Sequence, residues 1–241
     1  MNPVITSILL GVAAAVANGM GGAMMVQRDW DQRYLRYFIA LGAGFMLGTA
    51  LLEMLPESIR VSGPHAPLLL LAGYFIVHFF EHTVTTHFHF GEETHTEEYA
   101  SPHRIYSVLF GLIIHTFFDG IAIASGFLVS PWLGWVIFLA VVLHKLPEGF
   151  TASSIMLAAG HTKAVAWRAS AVLGVATVLG VLTVLVFTKS LGPGLPLSAG
   201  VTLYVAASDL IPEVNREPGA GVAFAVFLGV GLFLALQHYF H

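Results

Sequence analysis

Apolar residues fill long blocks of this chain, and polar residues gather in the short breaks between them. A helix that crosses a bilayer needs roughly 20 predominantly apolar residues. Eight blocks of about that size lie near residues 4–26, 34–56, 66–86, 105–129, 132–157, 164–188, 196–212 and 218–240. The breaks read "QRDWDQR", "SIRVSGPHAP", "HFHFGEETHTEEYASPHR", "SPW", "AAGHTKA", "KSLGPGLP" and "NREPGA", with the Pro, Gly and charge that mark turns. "SPW" is so short that the fourth and fifth blocks must be antiparallel neighbours. The seventh block is short and ends in "SDLIPEVN". The pattern predicts an all-α polytopic membrane protein with eight transmembrane helices. It forms a single transmembrane domain over 1–241, with a His-rich loop at 87–104.

Composition agrees. Of 241 residues, 56% are hydrophobic and only 10% charged, with a mean hydropathy of +0.80. No polar surface for a soluble protein can be made from that, so the lipid bilayer is the expected surrounding. A formal charge of −4, small and scattered, excludes a nucleic-acid partner. With no cysteine, disulfides and thiolate metal sites are ruled out. The N-terminal "MNPVITSILLGVAAAVANGMGG" lacks a basic n-region and is expected to stay as the first helix. Asn18, amid "NGMGG", reads as a point of close helix contact.

Positive charge orients the bundle. Arg28, Arg33, Arg36, Arg104, Lys163, Arg168 and Arg216 fall on one side of an eight-span chain, and only Arg60 and Lys189 on the other. That bias places both termini outside, most simply in a plasma (inner) membrane, and the loop at 87–104 in the cytoplasm.

Charges inside the blocks then stand out. The fourth block carries "HTFFDG" (His115, Asp119) and the fifth "HKLPEG" (His144, Lys145, Glu148). An ionisable residue at mid-membrane costs about 2.5–3.5 kcal/mol on insertion scales, and so faces a partner or a wet cavity. Residues four apart share a helix face, so each box presents an imidazole and a carboxylate on one stripe. Facing stripes would bring two nitrogens and two carboxylates to one point, a donor set suited to zinc, and also to manganese, iron or cadmium. A buried hydrogen-bonded network or a proton relay uses the same residue types. Pro147 leaves the Leu143 carbonyl without its intrahelical donor. Gly120 and Gly149, each just after its acid, admit a close backbone.

A second symmetry links the second and seventh blocks. One closes with "EMLPE" (Glu53, Pro56, Glu57), the other with "DLIPE" (Asp209, Pro212, Glu213). In the expected topology these blocks run in opposite directions, as do the fourth and fifth. Like motifs at opposite membrane faces are the pattern of an inverted repeat around a central site, here on helices four and five.

The two boxes, the "LPE" and "IPE" helix ends and the His-rich loop resemble the ZIP (Zrt/Irt-like) metal-transporter family over nearly the whole chain, in span order. The resemblance implies an eight-helix bundle with spans four and five at its core. It also implies outward termini, a homodimer, and transport of divalent metal into the cytoplasm, with an elevator-like movement. By match to the family's primary site it makes His115, Asp119, His144 and Glu148 metal ligands. No cofactor is expected beyond the transported ion, zinc first. Met46, in "GFML", matches a position where some relatives place a methionine ligand; packing is the competing role.

Relatives with a binuclear site carry polar or acidic ligands immediately after each box's first residue. Here those places hold Thr116 and Lys145. An ammonium cannot ligate but supplies positive charge beside the acids, so Lys145 is expected to stand in for a second metal. Softer candidates for the pathway are Glu53, Asp209 and Glu213, and the trio His78, Glu81 and His82 near the cytoplasmic end of the third block. His87, His89, His95 and His103, with Glu92, Glu93, Glu97 and Glu98, could bind metal weakly or simply be solvated. The competing function is an intramembrane zinc-dependent hydrolase, in which three of the four ligands would hold a water-activating ion. No HExxH motif supports it, and an inverted repeat has no use in hydrolysis.

Overall fold

The computed structural model describes residues 2–27, 32–83, 102–187, 191–215 and 220–240, and every long element among them is helical. In chain order they are α1 (Pro3–Gln27), α2 (Gln32–Gly48), α3 (Leu55–Ser62), α4 (Ala66–Thr83), α5 (Pro102–Val129), α6 (Pro131–Ala158), α7 (Lys163–Val186), α8 (Leu191–Tyr204), α9 (Ile211–Asn215) and α10 (Ala220–Phe240). Most of the His-rich loop lies outside the described residues, as do Arg28, Lys189 and Arg216 and the side chains of Arg33, Arg36, His103 and Arg104.

Six stretches among the described residues are long and apolar enough to cross a membrane: Pro3–Gln27, Ile39–Phe80, Leu109–Val129, Pro131–Leu157, Lys163–Val186 and Ala220–Tyr239. The chain is therefore a multi-pass integral membrane protein. The count differs from the eight blocks for two reasons. The second and third blocks run on as one stretch, and the seventh, α8 to α9, carries a wide turn at Val205–Leu210 and is not among the six.

Two wide turns interrupt the helices where the proline signals lie. Thr49–Met54 joins α2 to α3 and Val205–Leu210 joins α8 to α9, each as a π-helical turn. The amide of Leu55 bonds to the carbonyl of Ala50 and that of Ile211 to Ala206, five residues back. Pro56 and Pro212 follow at once. Having no N–H, proline cannot complete the ordinary i→i−4 ladder, and a wider turn re-pairs the backbone ahead of it.

The hairpin between α5 and α6 is as tight as "SPW" requires. Ser130 alone separates the helices; its side chain accepts from the amide of Leu133 at 3.1 Å, while Pro131 takes the first helical position, where no donor is needed. α1 and α7 pack along this pair, α2 along α10, and α4 along α8. Large apolar side chains such as Leu9, Phe79, Val175 and Phe227 point outward, as lipid demands. The interior holds buried polar and charged groups, which cluster on α5 and α6.

Small residues let these helices approach. A Cβ on Gly120 of α5 would strike the carbonyl oxygen of Thr177 on α7, and one on Gly180 of α7 would strike that of Phe117. The pair of α1 and α6 repeats this reciprocity: Gly149 sits on the carbonyl of Asn18 and Gly21 on that of Leu146. Each box thus has a glycine that presses its helix onto an outer one.

Candidate metal site

The two boxes face each other. His115, Asp119, His144 and Glu148 are all buried, and each offers one ligand atom such that all four atoms lie within 4.8 Å of one another. Their spacing explains the meeting: one helical turn separates imidazole from acid on each helix, and the single-residue link keeps α5 and α6 side by side.

One oxygen organises the centre. Asp119 Oδ2 lies 3.3 Å from His115 Nε2, 3.2 Å from His144 Nε2 and 2.7 Å from Lys145 Nζ. Lys145 also donates to Glu148 Oε2 at 2.6 Å. Its ammonium therefore bridges the two carboxylates and is fully buried. A charge at this depth persists only when paired, and two acids within hydrogen-bond reach provide the pairing.

The tautomer of His144 follows from its other nitrogen. Nδ1 lies 2.9 Å from the carbonyl of Ala140, which can only accept, so Nδ1 carries the proton. Nε2 lies 3.2 Å from Asp119 Oδ2, so a proton it shares with that carboxylate would have to leave before its lone pair could meet a metal. Among the described residues neither nitrogen of His115 makes a hydrogen bond, although Nε2 is 3.3 Å from Asp119 Oδ2, and Oε1 of Glu148 makes none. Buried polar atoms are almost always paired, and a neutral His115 ring and the free Glu148 oxygen leave acceptor capacity at the centre that a cation would take up. Ligand distances around zinc are about 2.0–2.2 Å, so four atoms within 4.8 Å of one another would have to draw together to share one ion.

Comparison with known proteins agrees with this geometry. A match to the ZIP zinc transporter family covers residues 3–107 and 91–237. The chain belongs to the ZIP zinc transporter family. It is 25% identical over 270 residues to "Zinc transporter ZIP9-A" of Xenopus laevis, covering 89% of this chain and 88% of that one. It is 28% identical over 159 residues to "Zinc transporter ZIP13" of Danio rerio, covering 60% and 46%. With "Zinc transporter zipt-7.1" of Caenorhabditis briggsae it shares 30% over 139 residues, covering 49% and 36%. The family is one of metal transporters rather than enzymes, and the buried His/Asp/Glu cluster fits a metal site.

The convergent group among the described residues contains neither Glu53, Asp209, His78 nor His82. Met46 is buried among apolar neighbours in the cluster that includes Ile39, Phe45 and Phe233. Glu53, on the first π-helical turn, accepts from Gln237 Nε2 at 3.1 Å and lines a cavity of about 660 Å³ with Glu57, Gln237 and His238; Glu57 pairs there with Arg60. Asp209 is buried on the second π-helical turn. His78 and His82 stack with ring centroids 4.0 Å apart, and Nδ1 of His82 meets the carbonyl of His78 at 2.9 Å. The side chains of Glu81 and Glu213 lie outside the described residues. Thr116 is buried and donates to the carbonyl of Ile113 at 3.0 Å, within its own helix.

Sequence reasoning misses two features. Gln237 and His238 stand beside Glu53, and a sequence signal for them exists. The spacing that carries Glu53 onto Asp209 and Pro56 onto Pro212 also carries Glu81 and His82 onto Gln237 and His238. Asn18 does lie at a close helix contact, yet its buried carboxamide has no partner on either atom; no pattern of residues announces that.

Proposed function

We propose that this ZIP chain carries divalent transition-metal cations, zinc foremost, across the membrane into the cytoplasm, with His115, Asp119, His144 and Glu148 as the ligands. Manganese, iron and cadmium suit the same nitrogen and oxygen donors. The observation that carries the reading is the convergence of four buried ligand atoms, several without partners, at the centre of a membrane protein.

Eight passes are part of this reading. As one helix, Ile39–Phe80, at 42 residues, would measure about 63 Å at 1.5 Å per residue, twice the hydrocarbon core. It is interrupted instead at Gly63, whose φ of 61° lies in the left-handed region, so it counts as two passes. α8 through α9 supplies the eighth. The reciprocal glycine contacts of α1 with α6 and α7 with α5, and the two π-helical turns before Pro56 and Pro212, support an inverted repeat and hence alternating access. Both termini outside, a plasma (inner) membrane location and a homodimer belong to the same proposal; the charge bias supports the first and the family resemblance the last. Glu53, Asp209, Glu213 and the trio His78, Glu81 and His82 are proposed to line the routes to and from the centre.

Lys145 sets how many ions the centre takes. Asp119, Glu148 and Lys145 together carry one net negative charge, so one divalent ion leaves a single positive excess and a second would leave three. In a low-dielectric interior the latter is prohibitive. The ammonium takes a second metal's place, and it also keeps the site from holding its cargo too tightly to let go. Metal-loaded proteoliposome assays test the whole reading. Wild type should take up zinc, and His115→Ala and Glu148→Ala should not, at equal insertion. Wild-type uptake by both variants, or hydrolysis of a lipid amide by the purified protein without uptake, would refute it.

A further inference from the structure

Tyr106 and Trp167 mark one end of the bundle, where α5 and α7 begin. Tyr106 is 54% exposed and its ring lies 6.3 Å from that of His161; Trp167 is 44% exposed and donates Nε1 to the carbonyl of Gly19 at 3.2 Å. Trp and Tyr concentrate where hydrocarbon meets headgroups, so these rings fix the headgroup level. Arg168 is exposed beside Trp167, and among the described residues no carboxylate pairs with it.

Below Arg168 a groove of about 340 Å³ runs between α5 and α7. Tyr106 and Arg168 line it together with Leu109, Phe110, Ile113 and Val172. From Tyr106 to Ile113 the helix rises about 10 Å at 1.5 Å per residue, about two-thirds of the hydrocarbon depth of one leaflet. The headgroup-proximal part of a single acyl chain matches that length. A lone arginine at a helix end ordinarily snorkels into water; this one forms part of the groove wall, next to a phenol that can also donate. The second groove on α7 makes the contrast. It is larger, about 540 Å³, lies against α1, and its wall from Val12 to Leu179 holds no charged residue.

We infer that the groove between α5 and α7 binds one acyl chain of an anionic phospholipid, whose phosphate is held by Arg168 and the Tyr106 hydroxyl. The charge complementarity selects the headgroup and the apolar wall selects the chain. A zwitterionic lipid brings its own ammonium to the phosphate and gains less from the guanidinium. The inference is independent of transport and of which side of the membrane this end faces.

Native mass spectrometry of the delipidated, metal-free protein tests it, with phosphatidylglycerol and phosphatidylcholine of identical chains as the probes. Wild type should retain phosphatidylglycerol about five-fold better, the factor that corresponds to about 1 kcal/mol for one basic side chain near an anionic lipid. Arg168→Gln should reduce this to the phosphatidylcholine level. Ile113→Trp, which fills the groove, should lower retention of both lipids, whereas Val175→Trp, the same bulk added on the α1 side of α7, should change neither. Equal retention of the two lipids by wild type would overturn the assignment, as would wild-type phosphatidylglycerol retention by Arg168→Gln or Ile113→Trp. So would loss of a dimer in Ile113→Trp with lipid retention unchanged, since the groove would then be covered by a second copy.

Discussion

The boxes on α5 and α6 have the same frame, His-x-x-x-acid-Gly, and each helix brings one imidazole and one carboxylate to the centre. The residue after each histidine differs, and there the halves part. Thr116 turns back to the Ile113 carbonyl of its own helix. Lys145, with a side chain four methylenes long, reaches across to Asp119 on α5 while holding Glu148 on its own helix. Shared residues assemble a donor set, and Lys145 sets its charge. The α6 box thereby adds a charge for which the α5 box has no counterpart.

The comparison breaks most completely if a shared residue is removed. Structural zinc sites bind with about 10–16 kcal/mol, so losing one ligand of four should cost about two orders of magnitude in affinity or more. His115→Ala and His144→Ala should lose zinc binding alike by isothermal titration calorimetry. A large loss from one and none from the other would show that the two boxes are not equivalent.

Lys145 comes next. Removing one partner of a buried ion pair leaves the other uncompensated, at a cost of about 3–5 kcal/mol. Lys145→Met should therefore melt well below wild type without metal, and zinc should raise its melting temperature more than it raises that of wild type. Lys145→Asp goes further by placing a third carboxylate at the centre. Anomalous diffraction from cadmium-soaked crystals should find one central ion in wild type and two in this variant. Two central ions in wild type would remove the role given to the ammonium.

The glycines sharpen the comparison on the packing side. A side chain on Gly120 meets the backbone of Thr177, and one on Gly149 meets that of Asn18; backbone cannot step aside as a flexible side chain can. Gly120→Leu and Gly149→Leu should each destabilise by about 1–3 kcal/mol, the usual cost of overpacking, and by similar amounts. Thermal unfolding in detergent measures both.

Much of this is legible in the sequence because the bilayer allows so few solutions. Helical blocks, the tight hairpin at Ser130 and the four-residue spacing of the boxes all follow from local geometry and from the cost of charge in lipid. What stays hidden depends on tertiary distance. Nothing in "HKLPEG" says that Lys145 spans the gap to Asp119 on another helix, although it does say that a charge there must be paired. The prolines at 56 and 212 signal helix ends; the structure has wide turns that continue the helical path, since a five-residue bond re-pairs the backbone that proline disrupts. Glu53 reads as a pathway acid, yet its partner Gln237 comes from a helix near the other end of the chain. The second and third blocks run together because helical backbone continues through the polar break, turned only at Gly63.

The smallest expected effect belongs to Thr116, and it tests the asymmetry from the other side. Its hydroxyl is satisfied by the Ile113 carbonyl and donates nothing to the four ligands. Thr116→Val keeps the shape and removes that bond. The carbonyl of Ile113 loses a second acceptor interaction while its helical one remains, and the net loss is about 0.5–1.5 kcal/mol of stability. Zinc affinity and uptake should stay within about two-fold of wild type, a difference worth only about 0.4 kcal/mol. If Thr116→Val instead reduced zinc affinity ten-fold, the hydroxyl would have to turn toward the ion in the loaded state. The two boxes would then both contribute from the position after histidine, and the asymmetry drawn from Lys145 would fail. Calorimetric titration of Thr116→Val beside Lys145→Met, under one set of conditions, separates these outcomes.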